Sequence, residues 1–309
     1  MSENHFDIIV AGAGPAGLTA AIYAARGGAR CAVAGGVAPG GQLLETTDIE
    51  NFPGFPDPVT GPDLMMRMIK QAKRLGAQVL QEQLSACDLS ARPFSLTVGS
   101  KELTCDALVI ATGARSRWLG LESETRYRNK GVSGCATCDG FFYKGKNIAV
   151  VGGGDSAAED ALFLTKFAEK VLLIHRRDQL RAAHRLQEKL KANPKIEIVY
   201  DHVPEEFLGG ERLEALRVKN VKTGEKKDLK LDGVFIAIGH DPETAVFGGA
   251  LKKNAEGYLV TDEHCATSVE GVYAAGDVMD SRYRQAIVAA GAGCMAAMEA
   301  LKYLEEKKD

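Results

Sequence analysis

The sequence predicts an α/β protein of two domains, each built on a parallel sheet with helices on its faces. Two glycine-rich segments, at residues 12–17 and 152–157, each follow an apolar run and open an alanine-rich helical pattern. A strand, a tight turn and a helix in that order form the repeating unit of parallel sheets. The chain of 309 residues is long enough for two such domains, each with its own core.

Charge and hydropathy narrow the class of protein. A net charge of -3 gives no reason to expect nucleic acid or an anionic membrane as a partner. Residues 1–5 are short and polar, unlike a signal peptide. The apolar run at residues 286–298 contains Gly291 and Gly293, and we expect it to be too short to cross a bilayer. These features favour a cytoplasmic protein.

The first glycine-rich segment has the form of a dinucleotide-binding loop. Residues 6–11 predict a buried strand, and the pattern after the loop predicts a helix to about residue 26. Between them, Gly12 permits the tight turn, Gly14 lets the main chain approach a pyrophosphate, and Gly17 lets helix and strand pack closely. The free N–H groups at the start of the helix would face the phosphates.

The strand predicted at residues 29–34 lacks the acid that usually binds the ribose of NAD. Gly35 and Gly36 stand at that position instead. This difference argues against NAD(H) at the first site and permits FAD. The ribose would then be held by the main chain and by the turn that contains Gly41 and Gln42.

The next elements are predicted from their apolar patterns. Apolar residues at helical spacing predict a helix over residues 61–76, and residues 79–98 have a β pattern. A strand over residues 106–110 ends in a tight turn that contains Thr112. Residues 121–130 are polar and predict a loop.

The second glycine-rich segment has the form G-x-G-x-x-A. Gly152 and Gly154 follow a strand predicted at residues 147–151, and the helix after them extends to about residue 167. The next strand, at residues 171–174, ends in cations where an acid is usual. These cations are His175, Arg176, Arg177 and, four positions further on, Arg181. Guanidinium groups bind phosphate with paired hydrogen bonds, so this strand end predicts NADPH as the second cofactor.

The order of the elements predicts how the domains are connected. Residues 196–231 contain three short β patterns, which we expect to form an antiparallel set before a strand at residues 233–238. Only at residues 271–286 do the closing strand of the first domain, a Gly-Asp turn and a C-terminal helix follow. We therefore predict a second domain at residues 117–244, inserted into a first domain of residues 1–116 and 245–309.

Two of the seven cysteines, Cys135 and Cys138, lie close together in the sequence. A single C-x-x-C in a reducing compartment is more often catalytic or metal-binding than structural. Structural zinc needs four ligands, and the sequence has no second C-x-x-C and no histidine nearby. A redox-active pair is therefore favoured over zinc, and we expect no metal. The other cysteines are expected to be small buried apolar residues: Cys31, Cys87, Cys105, Cys265 and Cys294.

Six segments together resemble the low-molecular-weight, bacterial-type thioredoxin reductases, and the resemblance covers nearly the whole chain. They are GAGPAG at 12–17, GGQL at 40–43, CATCDGFFY at 135–143, GGGDSA at 152–157, HRRDQLRA at 175–182 and GDVMDSRYRQA at 276–286. The resemblance implies two Rossmann-like three-layer dinucleotide-binding domains, FAD and NADPH as cofactors, a homodimer, and thioredoxin as the protein substrate.

The resemblance also implies which residues bind the cofactors. The residues expected at FAD are Gly12, Gly14, Pro15, Ala16, Gly17, Gly35, Gly41, Gln42, Asn51, Thr112, Gly276, Asp277, Arg284, Gln285 and Ala286. The residues expected at NADPH are Gly152, Gly154, Asp155, Ser156, Ala157, His175, Arg176, Arg177 and Arg181. Asp155 stands where relatives often carry Asn or Ser, and we expect it to act as a helix N-cap without touching phosphate.

A catalytic cycle follows from the same resemblance. Electrons would pass from NADPH through FAD to a Cys135–Cys138 disulfide and then to thioredoxin. Cys138 would face the flavin, Cys135 would attack thioredoxin, and the adjacent Asp139 would carry the proton. Because both the cysteines and NADPH would have to reach the flavin from one domain, we expect the domains to rotate about residues 114–117 and 241–246. Phe141 and Phe142 are candidates for docking thioredoxin or for ordinary packing.

Three other functions remain open. A flavin dithiol oxidase of the same fold, or a reductase fed by ferredoxin, would not need the basic residues at 175–177. A flavin-binding redox sensor would need neither Asp139 nor an intact second glycine-rich loop. A yellow protein that consumes no NADPH would favour the sensor.

Overall fold

The computed structural model describes residues 4–46 and 48–307. The expectation about residues 1–5 therefore lies partly outside the described residues. The chain divides into two compact units, one formed by Met1–Arg115 and Asp241–Asp309, the other by Ser116–His240. The chain passes from one unit to the other once in each direction, near residues 115 and 240.

The strands and helices have the following bounds. The strands are β1 His5–Ala11, β2 Cys31–Ala34, β3 Asp48–Ile49, β4 Val59–Thr60, β5 Gln78–Leu80, β6 Leu84–Asp88, β7 Phe94–Val98, β8 Lys101–Ile110, β9 Ala114–Ser116, β10 Val132–Ser133, β11 Asn147–Gly152, β12 Lys170–Ile174, β13 Ile196–Val199, β14 His202–Gly209, β15 Leu213–Asn220, β16 Lys226–Lys230, β17 Gly233–Ala237, β18 His240–Pro242 and β19 Val272–Ala274. The α-helices are α1 Pro15–Arg26, α2 Gly61–Arg74, α3 Glu122–Tyr127, α4 Ala136–Asp139, α5 Asp155–Leu164, α6 His184–Ala192 and α7 Ala286–Glu306. Short 3-10 helices cover Gly41–Glu45, Gly140–Tyr143, Ala245–Phe247 and Gly276–Val278.

The first unit is built on a sheet in the order β5-β2-β1-β8-β7-β6, and β19 pairs with β8. Strand β1 runs parallel to β2 and β8, with Val10 opposite Val33 and Val109. Both faces of these strands are buried, which explains why they read as continuous apolar runs. Helices α1, α2 and α7 lie on one face of the sheet. The Thr60 side chain caps the start of α2, because it accepts a hydrogen bond from the Asp63 N–H.

The second unit is built on a five-stranded parallel sheet in the order β10-β17-β11-β12-β13. Its apolar residues also divide into clusters on the two faces of the sheet. A three-stranded antiparallel sheet, β14-β15-β16, adds to this unit. The carboxyl ends of β10, β11 and β12 lie at one edge of the parallel sheet, which is the edge where ligands bind in folds of this type.

Two predictions for the second unit are wrong in detail, and one helix was not predicted. Residues 121–130 were predicted as a loop, but Glu122–Tyr127 is a helix whose Glu124 and Tyr127 are buried. Residues 196–199 form β13, which is parallel to β12, so the antiparallel set is made by β14, β15 and β16 instead. Helix α6 was not predicted at all, because its sequence is dominated by charged residues.

The C-terminal apolar run also differs from its prediction. Residues 286–298 belong to α7, a helix of 21 residues with a mean hydropathy of 1.3, long and apolar enough to cross a bilayer by length and composition alone. The apolar composition of α7 is explained by its packing against α1. A Cβ added at Gly293 would lie 2.0 Å from the carbonyl oxygen of Ala16, so this glycine allows the close helix contact and does not break the helix.

Candidate active site

The first glycine-rich loop joins β1 to α1, and its main chain is closely packed at two of its three motif glycines. Gly12 has a φ of +112°, which favours glycine, and a Cβ there would lie 2.2 Å from the Ala111 carbonyl oxygen. A Cβ at Gly17 would lie 1.9 Å from the Gly12 carbonyl oxygen. A Cβ at Gly14 would meet nothing within 4 Å, and no side chain caps the start of α1. The loop therefore offers uncapped N–H groups beside open space, which fits a pyrophosphate.

Other residues predicted at the flavin surround this loop in the same unit. A Cβ at Gly41 would lie 3.3 Å from the Gly14 Cα, so the 3-10 helix that contains Gln42 begins beside the loop. The Gln42 amide donates to the Ala114 carbonyl oxygen at 2.7 Å. Gly35 also lies close, because a Cβ there would be 3.2 Å from the Ala13 Cβ. These contacts fit the prediction that main chain and a glycine turn replace the missing acid.

The Gly-Asp turn near the C-terminus reaches the same place. A Cβ at Gly276 would lie 2.9 Å from the Ala16 Cβ, at the start of α1. Asp277 follows, and its pKa is raised to about 6 by burial and by repulsion from Asp280, while Arg284 opposes the rise. A partly buried acid beside an arginine can accept or donate hydrogen bonds to the hydroxyl groups of a ligand.

Four more predicted residues lie in this unit. The Asn51 side-chain N–H donates to the Gln285 side-chain oxygen at 3.4 Å, which brings together two residues 234 positions apart. Ala286 is the first residue of α7, directly after Gln285. The Thr112 hydroxyl donates to the Glu243 carbonyl oxygen at 2.7 Å, so it anchors the turn after β8.

Cys135 and Cys138 form a disulfide in the second unit, with their Cα atoms 5.3 Å apart. Cys135 immediately precedes α4, and its sulfur lies 3.2 Å from the Cys138 N–H and 3.5 Å from the Thr137 hydroxyl oxygen. The Cys138 residue is exposed, and Cys135 is half-buried. An N–H that points at Cys135 Sγ would stabilise a thiolate there once the disulfide is reduced.

Asp139 follows the disulfide and is half-buried. Burial raises the pKa of Asp139, and the nearby Ser133 hydroxyl acts against that rise. Burial also raises the pKa of Tyr143 to about 12, and the nearby Asp139 contributes to this rise. A carboxyl group whose pKa is raised can hold a proton closer to neutral pH, as a general acid requires.

The second glycine-rich loop repeats the geometry of the first. A Cβ at Gly152 would lie 2.4 Å from the Ala237 carbonyl oxygen and 2.6 Å from the Ala157 Cβ. A Cβ at Gly154 would meet nothing within 4 Å, and no side chain caps the start of α5. Ser156 is exposed in the first turn of that helix. This loop likewise offers uncapped N–H groups beside open space.

Two predicted NADPH residues hold this loop in place. His175 is buried, its Nδ1 lies 2.9 Å from the Gly152 carbonyl oxygen, and its ring blocks any side chain at Gly153. Asp155 was expected to be an N-cap, but the N-cap is Gly154 and Asp155 is the first residue of α5. Its carboxylate accepts from the Ala183 N–H at 2.7 Å.

The arginines at the end of β12 are exposed. Within residues 4–46 and 48–307, no carboxylate forms a salt bridge with Arg176, Arg177 or Arg181. The one acid among them, Asp178, is bound by Lys222 at 3.2 Å. The Arg181 N–H donates to the Gly153 carbonyl oxygen at 2.7 Å, which places this arginine directly beside the loop.

The remaining cysteines match their prediction only in part. All five are free thiols, and Cys31, Cys105 and Cys265 are buried. Cys87 and Cys294 are partly exposed, so the prediction of full burial is wrong for these two. In the described part of the chain, no group of three or more His, Cys, Asp or Glu side chains is arranged to hold a metal ion.

Comparison with known proteins identifies the family. Residues 6–293 match the pyridine nucleotide-disulphide oxidoreductases. The chain belongs to this family of oxidoreductases. It is therefore an enzyme, and the sensor alternative is wrong.

The oxidoreductase is similar along its whole length to proteins named thioredoxin reductase. That of Coxiella burnetii is 50% identical over 311 residues, which cover 98% of this chain and 97% of the relative. That of Rickettsia conorii is 48% identical over 304 residues, covering 97% and 98%. A solved thioredoxin reductase from Giardia duodenalis is 42% identical, with a TM-score of 0.93, and covers 98% of this chain and 100% of that one. The predicted family and the two-domain Rossmann-like fold are confirmed.

Sequence analysis missed one residue of the oxidoreductase site. Ser133 is buried, and its hydroxyl accepts from the Cys135 N–H at 3.0 Å. A serine two residues before an N–H that no helix satisfies is a known local pattern, so the sequence did contain a signal. The effect of Ser133 on Asp139 gives no such signal, because their proximity depends on how the turn folds.

Proposed function

We propose that this oxidoreductase uses NADPH to reduce the disulfide of thioredoxin, through FAD and the Cys135–Cys138 pair. The observation that carries the proposal is the Cys135–Cys138 disulfide with the half-buried Asp139 directly after it. This group lies at the same edge of one parallel sheet as the Gly152 loop. Relatives that cover almost the full length carry the name thioredoxin reductase, which supports thioredoxin as the substrate.

FAD is assigned to the first unit and NADPH to the second. The open space at Gly14, with Gly41 and Gly276 close to the same helix start, supports an FAD site there. The open space at Gly154 supports an NADPH site in the second unit. So do the exposed Arg177 and Arg181, which form no salt bridge with a carboxylate in the described part of the chain. The two units are accordingly proposed to be an FAD domain and an inserted NADPH domain.

The chemistry of the bound cofactors is a hydride from NADPH and a two-electron relay by FAD. The chain supplies the acceptor, because reduction of the Cys135–Cys138 disulfide takes two electrons and two protons and yields two thiols. Asp139 gives one of these protons to Cys138, the adjacent thiolate, and then regains a proton from solvent. Cys135, whose sulfur faces the Cys138 N–H, attacks the thioredoxin disulfide, and Cys138 then releases the mixed disulfide.

Aromatic residues beside the cysteines are proposed as the docking surface for thioredoxin. Phe141 and Phe142 are 59% and 43% exposed, although apolar rings of this size are usually buried. Phe141 also contacts Phe167, with ring centroids 6.2 Å apart, and Phe167 in turn contacts Phe163 at 5.5 Å. A rigid aromatic patch next to the reacting sulfurs fits the requirements of a protein interface centre.

The catalytic cycle is proposed to include rotation between the two domains. The cysteine pair and the second glycine-rich loop belong to one unit, and the first loop belongs to the other. Both the disulfide and the nicotinamide must approach the same flavin, so they contact it one after the other. A chemical cross-link between the units should stop turnover and preserve a single half-reaction. Turnover at the normal rate in a fully cross-linked sample would contradict the rotation.

A homodimer is proposed from an exposed apolar face of the first unit. Tyr23, Met66, Met295 and Met298 are 39–56% exposed on α1, α2 and α7, helices that pack together. Exposed apolar patches of this kind mark protein interfaces. Met298→Glu should shift the protein to monomer in sedimentation, whereas Val221→Glu in the other unit should not.

The five free thiols fit a reducing compartment, and we propose the cytoplasm.

The proposed function is tested by steady-state kinetics. Wild-type protein should oxidise NADPH only when oxidised thioredoxin is present, and Cys138→Ser should lose that activity. Reduction of oxygen by a dithiol, with no oxidation of NADPH, would support the dithiol oxidase instead. A flavin that is reduced by ferredoxin and not by NADPH would support the ferredoxin-fed reductase.

A further inference from the structure

A lysine of the antiparallel sheet binds two carboxylates beside the exposed arginines at residues 176–181, a segment we call the arginine loop. The Lys222 Nζ donates to the Asp201 Oδ2 at 3.0 Å and to the Asp178 Oδ2 at 3.2 Å. Lys222 lies in the turn between β15 and β16, and Asp201 lies in the turn between β13 and β14. Asp178 itself belongs to the arginine loop and directly follows Arg177. One cation therefore connects both turns to this loop.

Main-chain hydrogen bonds also connect the lysine turn to the arginine loop. The Asn220 side-chain oxygen accepts the Lys222 N–H at 2.9 Å, which fixes the turn that carries the lysine. The Val221 N–H donates to the Asp201 carbonyl oxygen at 2.8 Å, and the Asp201 N–H donates to the Arg177 carbonyl oxygen at 3.2 Å. The position of Lys222 relative to the arginine loop is thus set by the folded main chain.

The two carboxylates have different roles in this cluster. The Asp201 side chain is 19% exposed and its main chain is hydrogen-bonded on both sides, whereas the Asp178 side chain is 68% exposed. In the part of the chain that the structure describes, Lys222 is the only cation that forms a salt bridge with either acid. Asp201 therefore anchors the lysine, and the lysine holds the more mobile Asp178.

We propose that Lys222 is a positioning residue for NADPH selectivity, because it occupies the Asp178 carboxylate that would otherwise pair with the guanidinium groups of the arginine loop. The inference rests on the proposed NADPH site in this unit. A carboxylate and a phosphate compete for the same paired donors of a guanidinium group. While Lys222 binds Asp178, the donors of Arg177 and its neighbours stay available to the 2′-phosphate.

The charges in the cluster determine which cofactor should be affected. Without Lys222, two carboxylates would stand beside the arginine loop with no cation of their own. They would compete with the 2′-phosphate for the arginines and would repel it, because a phosphate monoester carries a charge of about -1.5 to -2 at neutral pH. NAD+ has no 2′-phosphate, so its binding should not depend on Lys222. Comparing NADP+ with NAD+ therefore isolates the effect.

The test measures binding to the FAD-loaded protein by isothermal titration calorimetry, with NADP+ titrated directly and NAD+ by displacement of NADP+. Lys222→Met should raise the Kd for NADP+ about three- to fivefold, the strength of an exposed ion pair. The Kd for NAD+ should stay the same. In turnover with thioredoxin, the KM for NADPH should rise while kcat is retained. Lys222→Arg keeps the cation and should restore the wild-type Kd.

A second lysine of the same sheet provides the matched control. Lys226 is 55% exposed, against 58% for Lys222, and it binds Glu205 at 2.8 Å. Lys226→Met removes the same charge and an ion pair of the same kind, and it should leave the Kd for NADP+ unchanged. An equal rise in Lys222→Met and Lys226→Met would overturn the inference, because net charge alone would then explain the loss.

Removing the competing acid tests the mechanism itself. Lys222→Met combined with Asp178→Asn should bind NADP+ about as tightly as the wild type, since no carboxylate is then released onto the arginines. If Lys222→Met fails to fold because Asp201 loses its cation, Lys222→Gln retains a donor for Asp201 and makes the same comparison. A loss of affinity that persists after Asp178→Asn, or no loss in either Lys222 variant, would overturn the positioning role.

Arg177→Gln distinguishes this inference from the proposed function. Arg177→Gln should raise the Kd for NADP+ about tenfold or more without changing that for NAD+, because hydrogen bonds to a charged group are lost. If the wild type binds NADP+ and NAD+ equally and Arg177→Gln changes neither Kd, the proposed NADPH site fails and the inference fails with it. If Arg177→Gln weakens NADP+ but Lys222→Met does not, the site stands and only the positioning role is wrong.

Discussion

The two glycine-rich loops allow each cofactor site to be damaged separately by one methyl group. Gly14 has φ and ψ of -75° and -175°, and Gly154 has -93° and -175°, which are conformations that alanine adopts without strain. A Cβ at either position meets nothing within 4 Å. Gly14→Ala and Gly154→Ala should therefore fold normally, with the new methyl group in the space proposed for a pyrophosphate.

The expected loss can be estimated from the hydrogen bonds that a phosphate would make to the helix start. A hydrogen bond to a charged group contributes about 1.5–3 kcal/mol, so losing one should weaken binding by about 10- to 100-fold. Flavin fluorescence during reconstitution gives the Kd for FAD, and a titration followed by fluorescence quenching gives the Kd for NADPH. Gly14→Ala should affect FAD alone, and Gly154→Ala should affect NADPH alone.

The packed glycines of the same loops provide the control. A Cβ at Gly17 would lie 1.9 Å from a carbonyl oxygen, and one at Gly152 would lie 2.4 Å from another, so alanine at either site should destabilise its unit. Loss of folding in these variants and retention of folding at Gly14 and Gly154 is the expected pattern. If Gly154→Ala weakened FAD, or if neither open-loop variant changed either Kd, the assignment of the cofactors to the loops would be refuted.

Three further predictions concern docking, stability and pH. Phe142→Ala should raise the KM for thioredoxin about 10-fold or more without changing flavin reduction by NADPH, whereas Val221→Ala should change neither. Glu124→Gln should lower the free energy of unfolding by about 2 kcal/mol, because the buried carboxylate accepts the N–H groups of Leu119 and Gly120, both at 3.0 Å. Asp277→Asn should stabilise flavin-free protein by about 1–3 kcal/mol at pH 7, measured by urea unfolding, because burial raises the pKa of Asp277 to about 6.

The sign of the Asp277 effect follows from linkage. The folded-state pKa of Asp277 lies above the ordinary aspartate value of 3.8, so the folded state binds the proton more tightly than the unfolded state. The wild type therefore loses stability as the pH rises from about 4 to about 6, and the difference from Asp277→Asn should vanish below pH 4. A difference that is the same at pH 3.5 and pH 7 would contradict this account. For Glu124, the exposed Glu122 is the control, and an equal loss in Glu122→Gln would rule out the buried hydrogen bonds as the cause.

Local sequence patterns were sufficient to predict the elements whose structure depends on residues close together in the sequence. The strand, glycine turn and helix around Gly12 and around Gly152 depend on neighbours in sequence, and both units are present. The predicted loop at residues 121–130 was wrong because α3 packs against β14 and the buried Glu124 accepts the N–H groups of Leu119 and Gly120, which polar composition does not reveal. Strand β13 was placed with the wrong partners because pairing direction depends on elements distant in the sequence.

Some features of the candidate site could likewise be predicted from the sequence, and others could not. The Cys135–Cys138 pair was predicted from its spacing, and the structure contains that disulfide. The role of Asp155 as an N-cap was wrong by one residue, because the helix begins after Gly154. The proximity of Ser133 to Asp139 could not be predicted from the sequence, since it depends on how the turn between β10 and α4 folds.

The central claim, that the Cys135–Cys138 disulfide lies on the electron path, is tested most directly by an anaerobic titration with NADPH. Flavin and disulfide each accept two electrons, so the wild type should consume about two NADPH per chain, and Cys138→Ser about one. Adding oxidised thioredoxin should then reoxidise only the wild type. A wild type that takes up about one equivalent, or a Cys138→Ser variant that still reduces thioredoxin, would show that the electrons take another path.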